Sequence, residues 1–361
     1  MTSYFKLYAN CILVKGINNS VIYDLFLSRY YVLPIELANL INEFEESSFD
    51  CVISSHQDFQ SEITSFCNEL INQGYADWFE EDELELYPNV NLEWDYPAHI
   101  TNVVINSNNH KVISKTLMLV EDLLTPAVLL RTNKVDTNLL VLLNKVLETS
   151  IVSHIEIITP ILSVTHKEIE RNMRLKTIWL GNKIPSEFKN YAKIKSIKER
   201  VYFKQKHPVY ELFTESQAHH TYFNRKMYIG VKGEIKNAPE CKEEFGNIND
   251  LESVEELKQI IATSEFQKYW FVHKGLCDVC KDCEFRHMCV DNRLPYQRKD
   301  GSWYHKTECN YNPYICKLKE EEGYQPLVEI GVVSNENGFS IDHEKIAAIN
   351  KMLWKEESEN A

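Results

Sequence analysis

Long apolar runs are missing from this sequence: no stretch approaches the roughly 20 residues that a membrane span requires. The opening MTSYFKLYANC lacks the charged-then-apolar layout of a secretory signal, so the expected address is the cytoplasm. An excess of positive charge is missing too. Lys and Arg total 39 against 53 Asp and Glu, a net charge of -14, which argues against nucleic acid as a partner because phosphate neutralisation dominates such binding. A peptide or protein partner is the better expectation, with no membrane involved. Neither a phosphate loop of the G-x-x-x-x-G-K-[ST] type nor a G-x-G-x-x-G turn occurs, and no pair of carboxylates stands in a convincing catalytic setting.

What is present begins with size and cysteine. A chain of 361 residues has room for two or three domains with cores of their own. Seven of the ten cysteines fall between Cys241 and Cys316. In a cytoplasmic setting such clustering points to metal ligation rather than to disulfides. The other three, Cys11, Cys51 and Cys67, sit in apolar contexts and are expected to be small buried hydrophobes.

The patterning divides the chain into three parts, with fold class α/β. In the first, about 1–90, YFKLYANCILVKG, SVIYDLFL and RYYVLP read as three short antiparallel strands separated by turn residues. IELANLINEFE and SEITSFCNELINQGY follow as helices, the second closed by Gly74. The acidic stretch from Glu80 to Glu85 reads as a solvated linker. From 91 to 218, apolar strands alternate with amphipathic segments, from NVVINS through KTIWLG to RVYFKQ. That alternation argues for βαβ units and a partial barrel or small open parallel sheet. The third part, 219–361, opens with a hairpin turning at Lys232-Gly233. A helix over ESVEELKQIIATSEFQKYWF follows, then cysteine-rich loops and a final helix, HEKIAAINKMLWK.

The run GLCDVCKDCEFRHMC brings Cys277, Cys280, Cys283 and Cys289 close together, and Cys309 and Cys316 return on a later loop. Two-residue gaps let a loop turn several thiolates inward on one centre. Soft thiolates suit either an iron–sulfur cluster or zinc, and ligand type alone does not choose between them.

The spacing C-x-x-C-x5-C over Cys280, Cys283 and Cys289, with Cys309 after a gap, resembles the SPASM domain of radical-SAM peptide-modifying enzymes. The preceding GEIKNAPECKEEFGNI and EFQKYWF are similar to that domain's opening. The resemblance implies one four-iron cluster on Cys280, Cys283, Cys289 and Cys309. Cys241 and Cys316 are further thiols that could contribute with a histidine such as His219 or His220, while Cys277 is a neighbour outside the family spacing. Where the family carries a further cysteine after Cys289, this chain has Arg293, and no cysteine occurs in HHTYFNRKMY. The radical-SAM triad C-x3-C-x-x-C is absent as well. The equivalent loop, Ser107, Asn108, Asn109 and His110, holds no thiol, so S-adenosylmethionine is not an expected cofactor.

The segment from Gly16 to Pro34 resembles the winged-helix peptide-recognition domain of ribosomal peptide maturation. That resemblance implies that a precursor's leader adds as a strand along Tyr30, Tyr31, Val32 and Leu33 and packs against Cys67, Leu70 and Ile71. Taken together, the chain resembles the SPASM-domain peptide maturases of grasp-with-spasm systems. There an ATP-grasp ligase forms ester or amide links in the precursor, and the expected role is a leader-binding accessory protein. A redox enzyme acting through its cluster and a zinc-stabilised interaction protein are the alternatives.

Overall fold

The computed structural model describes residues 3–86, 88–199 and 207–358. Its N-terminal part contains β1 (Ser3–Leu7), β2 (Cys11–Lys15), β3 (Asn19–Asp24) and β4 (Arg29–Pro34), then α1 (Ile35–Glu46), α2 (Phe49–Ser55), α3 (Gln60–Asn72) and β5 (Ala76–Glu80). Strands β2, β3 and β4 form the expected antiparallel meander. The stretch expected to be its first strand is in fact two. The chain turns at Tyr8–Asn10, and β1 leaves to pair antiparallel with β5, Ser3 opposite Glu80 and Leu7 opposite Ala76. Period-two patterning cannot reveal this break, because both halves alternate alike.

Helices α1 and α3 cover one face of the meander, and Phe5, Ile22, Leu33, Ile41, Phe44 and Leu70 fill the space between. Gly74 follows α3 at a φ of 72°, the left-handed conformation that closes a helix, with its N–H donating to the Ile71 carbonyl at 2.9 Å. Cys11 and Cys67 are buried as expected; Cys51 is exposed, on the outer face of the short α2. Of the acidic stretch, Glu80 ends β5, and 81–85 follow as mostly exposed turns.

The middle contains β6 (Asn102–Asn106), α4 (His110–Glu121), β7 (Ala127–Arg131), β8 (Lys134–Asp136), α5 (Thr137–Val146), β9 (His154–Thr159) and β10 (Ile161–Ser163). After these come α6 (His166–Glu170), β11 (Leu175–Leu180), β12 (Ile194–Ser196) and α7 (Tyr210–Ala218). The stretch RVYFKQ, expected as a further strand, lies outside the described residues. Two more strands, β13 (Lys226–Ile229) and β14 (Ile235–Lys236), join the same sheet from beyond 218, giving the order β12-β11-β9-β7-β6-β13-β14. All neighbours are parallel except β13 and β14. The central strands β6, β7, β9 and β11 supply mainly apolar buried side chains, as the interior of a parallel sheet requires. Val103, Ile105, Val128, Leu130, Ile155 and Ile178 share one core with α4, α5 and the later α8 (Val254–Ile261).

The β13–β14 hairpin turns at Gly233, φ 99°. α8 is capped by Ser253 and ends at Ile261 rather than continuing to Phe271; beyond it Phe266 and Trp270 are buried from turns instead of from a helix. The cysteine-rich segment that follows is made of single turns and two-residue or three-residue strand pairs, and the last helix spans His343–Ser358. The cysteine-rich segment docks on the meander through hydrogen bonds to main-chain carbonyls. Ile17 N–H donates to the Asp282 carbonyl at 2.9 Å, Tyr23 Oη to the Glu284 carbonyl at 2.7 Å, and Arg286 Nη1 to the Lys15 carbonyl at 2.7 Å. Gly16 sits where a Cβ would meet Asn19 O at 2.6 Å and Glu284 N at 2.8 Å, so only glycine permits this approach.

Candidate metal centre

Three 3-10 turns, Lys274–Leu276, Cys280–Asp282 and Arg286–Met288, carry the close-spaced cysteines. Between Cys277 and Cys280 the chain reverses through Val279 at φ 65°. A β-branched residue there costs on the order of 1–3 kcal/mol, a strain retained only where the surroundings impose it. None of the ten cysteines is disulfide-bonded.

Cys280, Cys283, Cys289 and Cys309 are all partly buried. The charges of Cys280 and Cys289 act on Lys274, those of Cys280 and Cys309 on Arg293, and those of Cys283 and Cys289 on Tyr23. The remaining thiols have different settings. Cys241 packs among Phe223, Ala238 and Tyr269, and burial pushes its thiol up to about 11. Cys277 is fully buried and is pushed up to about 12 by that burial and by Cys280. Cys316, at φ 52°, donates to the Pro313 carbonyl at 3.6 Å; burial and then Glu284 push it to about 12. A high pKa disfavours the thiolate that binds metal. Burial pushes Cys280 as well, to about 11, with Lys274 and Arg293 opposing the shift as they do at Cys277, so thiol pKa does not separate Cys280 from its neighbours.

Sequence reasoning missed the charged shell around these thiols. Lys274, 2% exposed, donates to Asp291 Oδ2 at 2.7 Å. Arg293 grips the same carboxylate, Nη2 to Oδ2 at 2.7 Å and Nε to both oxygens at 3.1 and 2.9 Å. It also donates to the Thr307 carbonyl at 2.7 Å and to Cys280 Sγ at 3.7 Å. Thus Arg293, at a position where the resemblance leads one to expect a cysteine, reaches a cysteine instead. Burial alone would raise the Asp291 pKa, but Lys274 and Arg293 outweigh it and hold the carboxyl well below the usual range. A D-x-R step after Cys289 was the available signal, but nothing in one sequence says that those charges are buried.

Two histidines complete the shell. His305 Nδ1 meets the Leu294 carbonyl at 3.2 Å, an arrangement that makes Nδ1 the protonated nitrogen and leaves a lone pair on Nε2. Burial, then Lys274 and Arg293, lower its pKa to about 3. His220 is fully buried, and its Nδ1 accepts the Tyr222 N–H at 3.2 Å. Neither Nε2 finds a hydrogen-bond partner among the described residues. His219 lies apart, its ring tilted against those of Trp94 and Phe271. Among the described residues, one group brings three ligand atoms within 4.8 Å of one another: Cys280, Asp291 and His305. The cysteine-rich segment is thus a metal-capable site with soft donors.

The loop from Ser107 to His110, expected to take the place of a cluster loop, spends its polar atoms on hydrogen bonds within the protein. Ser107 Oγ donates to the Val231 carbonyl at 3.2 Å and accepts the Asn109 N–H at 3.1 Å; Asn109 then caps α4, which His110 opens. Asn108 Oδ1 accepts from Thr132 and from the Asn133 N–H.

On the expected peptide edge, β4 pairs with β3 and has no strand on its other side among the described residues. Leu33, Cys67 and Leu70, expected to line the groove, are interior instead; they fill the core beneath the meander. Tyr31 leans over α3, its Oη donating to Glu69 Oε1 at 2.8 Å, with Ile71 half-buried nearby. Tyr30 and Val32, each 41% exposed, face the other way. They border a cleft of about 300 Å³ whose far wall is Phe285, Met288, Tyr311 and Cys316. The Tyr30 and Phe285 rings meet edge-on at 5.9 Å. No helix of the described chain is long and apolar enough to cross a membrane. Compared with known proteins, the chain has no match: no family model, no curated protein and no solved structure is similar to it.

Proposed function

We propose that this chain is an accessory protein of ribosomal peptide maturation. It binds the leader of a precursor along β4 and presents the core to an ATP-grasp ligase, while an iron–sulfur cluster on Cys280, Cys283, Cys289 and Cys309 orders the C-terminal loops. The observation that carries this reading is the cleft between Tyr30 and Val32 on one side and Phe285 and Met288 on the other. An unpaired edge strand offers backbone donors and acceptors to an extended peptide, and the cleft offers a pocket for alternate side chains. Because the cysteine loop is fastened to the meander through Tyr23 and Arg286, ordering the thiols also shapes the peptide site.

Four soft thiolates suit an iron–sulfur cluster or zinc, and the cluster is taken here from the resemblance of the cysteine spacing to the SPASM pattern. When bound, such a cluster supplies a rigid anchor for the loops, and metal affinity becomes folding free energy.

The test is a titration of the full-length protein with a fluorescent synthetic leader from a precursor encoded beside it. Val32→Asp should weaken binding at least about tenfold, or about 1.4 kcal/mol, because it places a desolvated carboxylate on the cleft wall. Tyr30→Ala should weaken it less. Unchanged binding in both folded variants refutes the site. Anaerobic metal analysis should return about four irons per chain; stoichiometric zinc without iron rejects the cluster.

A further inference from the structure

Lys274, Asp291 and Arg293 together bear two positive charges and one negative, with the ammonium and carboxylate both nearly sealed from solvent. A buried cation without a counter-ion is costly, so the array needs a further anion. The Asp291 oxygens cannot provide it, since five N–H contacts from Lys274 and Arg293, backbone included, already occupy them. For the same reason Asp291 is a poor metal ligand, although it lies in the compact group with Cys280 and His305. A lone divalent ion there would sit against an ammonium and a guanidinium. Sulfur is the anion at hand: Arg293 Nη2 donates to Cys280 Sγ at 3.7 Å, and the charges of Cys280 and Cys289 act on Lys274 as those of Cys280 and Cys309 act on Arg293.

We propose that the Lys274–Asp291–Arg293 array is the built-in counter-charge of a net-negative four-thiolate centre on Cys280, Cys283, Cys289 and Cys309. In it, Arg293 acts as a positioning residue that donates to Cys280 Sγ. This rests on the cluster reading above. It adds that the place of a missing ligand has become a fixed positive wall, and that Asp291 and His305 are not ligands. Hydrogen bonds and positive charge at the sulfurs favour the more negative, reduced state of a cluster, so the array raises its reduction potential.

The experiment uses the full-length protein, purified without oxygen, with metal content and reduction potential as its two readouts. His305→Ala and Asp291→Asn should keep the wild-type metal content, whereas Cys283→Ser should lose most of it. Lys274→Met should move the potential to more negative values and Asp291→Asn to more positive ones. Arg293→Lys, which retains the charge, should stay nearer to wild type than Arg293→Met. A role confined to packing would not give opposite signs for Lys274→Met and Asp291→Asn. Loss of metal in His305→Ala or Asp291→Asn, with retention in Cys283→Ser, would place the metal in the compact group and overturn the proposal. Shifts of equal sign, or none, would overturn the counter-charge role. Zinc in place of iron would sink the cluster reading alone, because the metal-content series still decides which residues are ligands and whether Lys274→Met loosens the centre.

Discussion

Asp24 holds the turn that places the exposed edge strand, and Asp24→Asn tests that arrangement directly. Its side chain is fully buried at the end of β3. Oδ1 accepts Asn10 Nδ2 at 2.8 Å, Leu27 N–H at 3.0 Å and Phe26 N–H at 3.2 Å, and Oδ2 accepts Arg29 Nε at 2.8 Å. Arg29 in turn reaches the Gly74 carbonyl at 3.0 Å and covers the Tyr75 ring, so one carboxylate ties the hairpin to the end of α3. Asparagine keeps one oxygen for the turn but sets an amide N–H against Arg29. The charge-assisted bond is worth about 1.5–3 kcal/mol. Breaking a fully buried pair costs about 3–5 kcal/mol, and Arg29 is 37% exposed. A loss of about 2–4 kcal/mol in the local stability of β3 and β4 follows from those bounds. Burial alone would raise the Asp24 pKa, but Arg29 and the turn amides outweigh it and lower the value. A depressed folded pKa contributes stability that is complete above the unfolded value, about 3.9, and is lost only as pH falls through the lower folded one. The difference between wild type and variant should therefore be flat from about pH 5 to 8 and close below about pH 4. Hydrogen exchange of the Val21 and Tyr23 amides in the full-length protein measures it. A difference under about 0.5 kcal/mol, or one that changes steadily between those pH values, refutes the reasoning.

Glu215 gives the opposite pH sign. Burial raises its pKa to about 7, so the stability it contributes is present below the unfolded value of about 4.3 and is lost as pH rises through the folded one. Glu215→Gln should stabilise the protein by about 1–2 kcal/mol at about pH 8 and match wild type near pH 4, as thermal melts at the two pH values will tell. Gly16→Ala should loosen the docking of the cysteine loop, since its Cβ would meet two backbone atoms under 3 Å; faster proteolysis near Arg286, with the meander intact, is the expected outcome, and an unchanged pattern counts against it. Cys241→Ser should leave metal content unchanged, because Cys241 lies among apolar side chains; loss of iron would make it a ligand. With reductant and S-adenosylmethionine, the protein should yield no 5′-deoxyadenosine above a metal-free control, because the loop from Ser107 to His110 carries no thiol.

Much of this molecule was legible in one dimension because local rules decide it. Apolar strands such as NVVINS, AVLLRT and HIEIIT, alternating with amphipathic segments, announced βαβ units and a parallel sheet. The spacing of Cys280, Cys283 and Cys289 marked a metal-capable loop, because gaps of two residues are a property of the chain itself. Pairing between distant segments was not legible. Period two is the same in β1 and β2, so only the packing of Phe5 against Phe44 and Trp78 decides that β1 joins β5 and not the meander. Burial of charge was equally hidden. Lys274 and Arg293 look like surface residues in sequence, and it is the fold that seals them around Asp291, 17 residues from the lysine. The face of β4 that stays open was decided in the same way. Alternation puts Tyr31 and Leu33 on one side and Tyr30 and Val32 on the other, but which side meets helices and which meets the cysteine loop depends on contacts across more than 250 residues. Such contacts form only when the chain closes on itself, and their energies have no counterpart in any local sequence pattern.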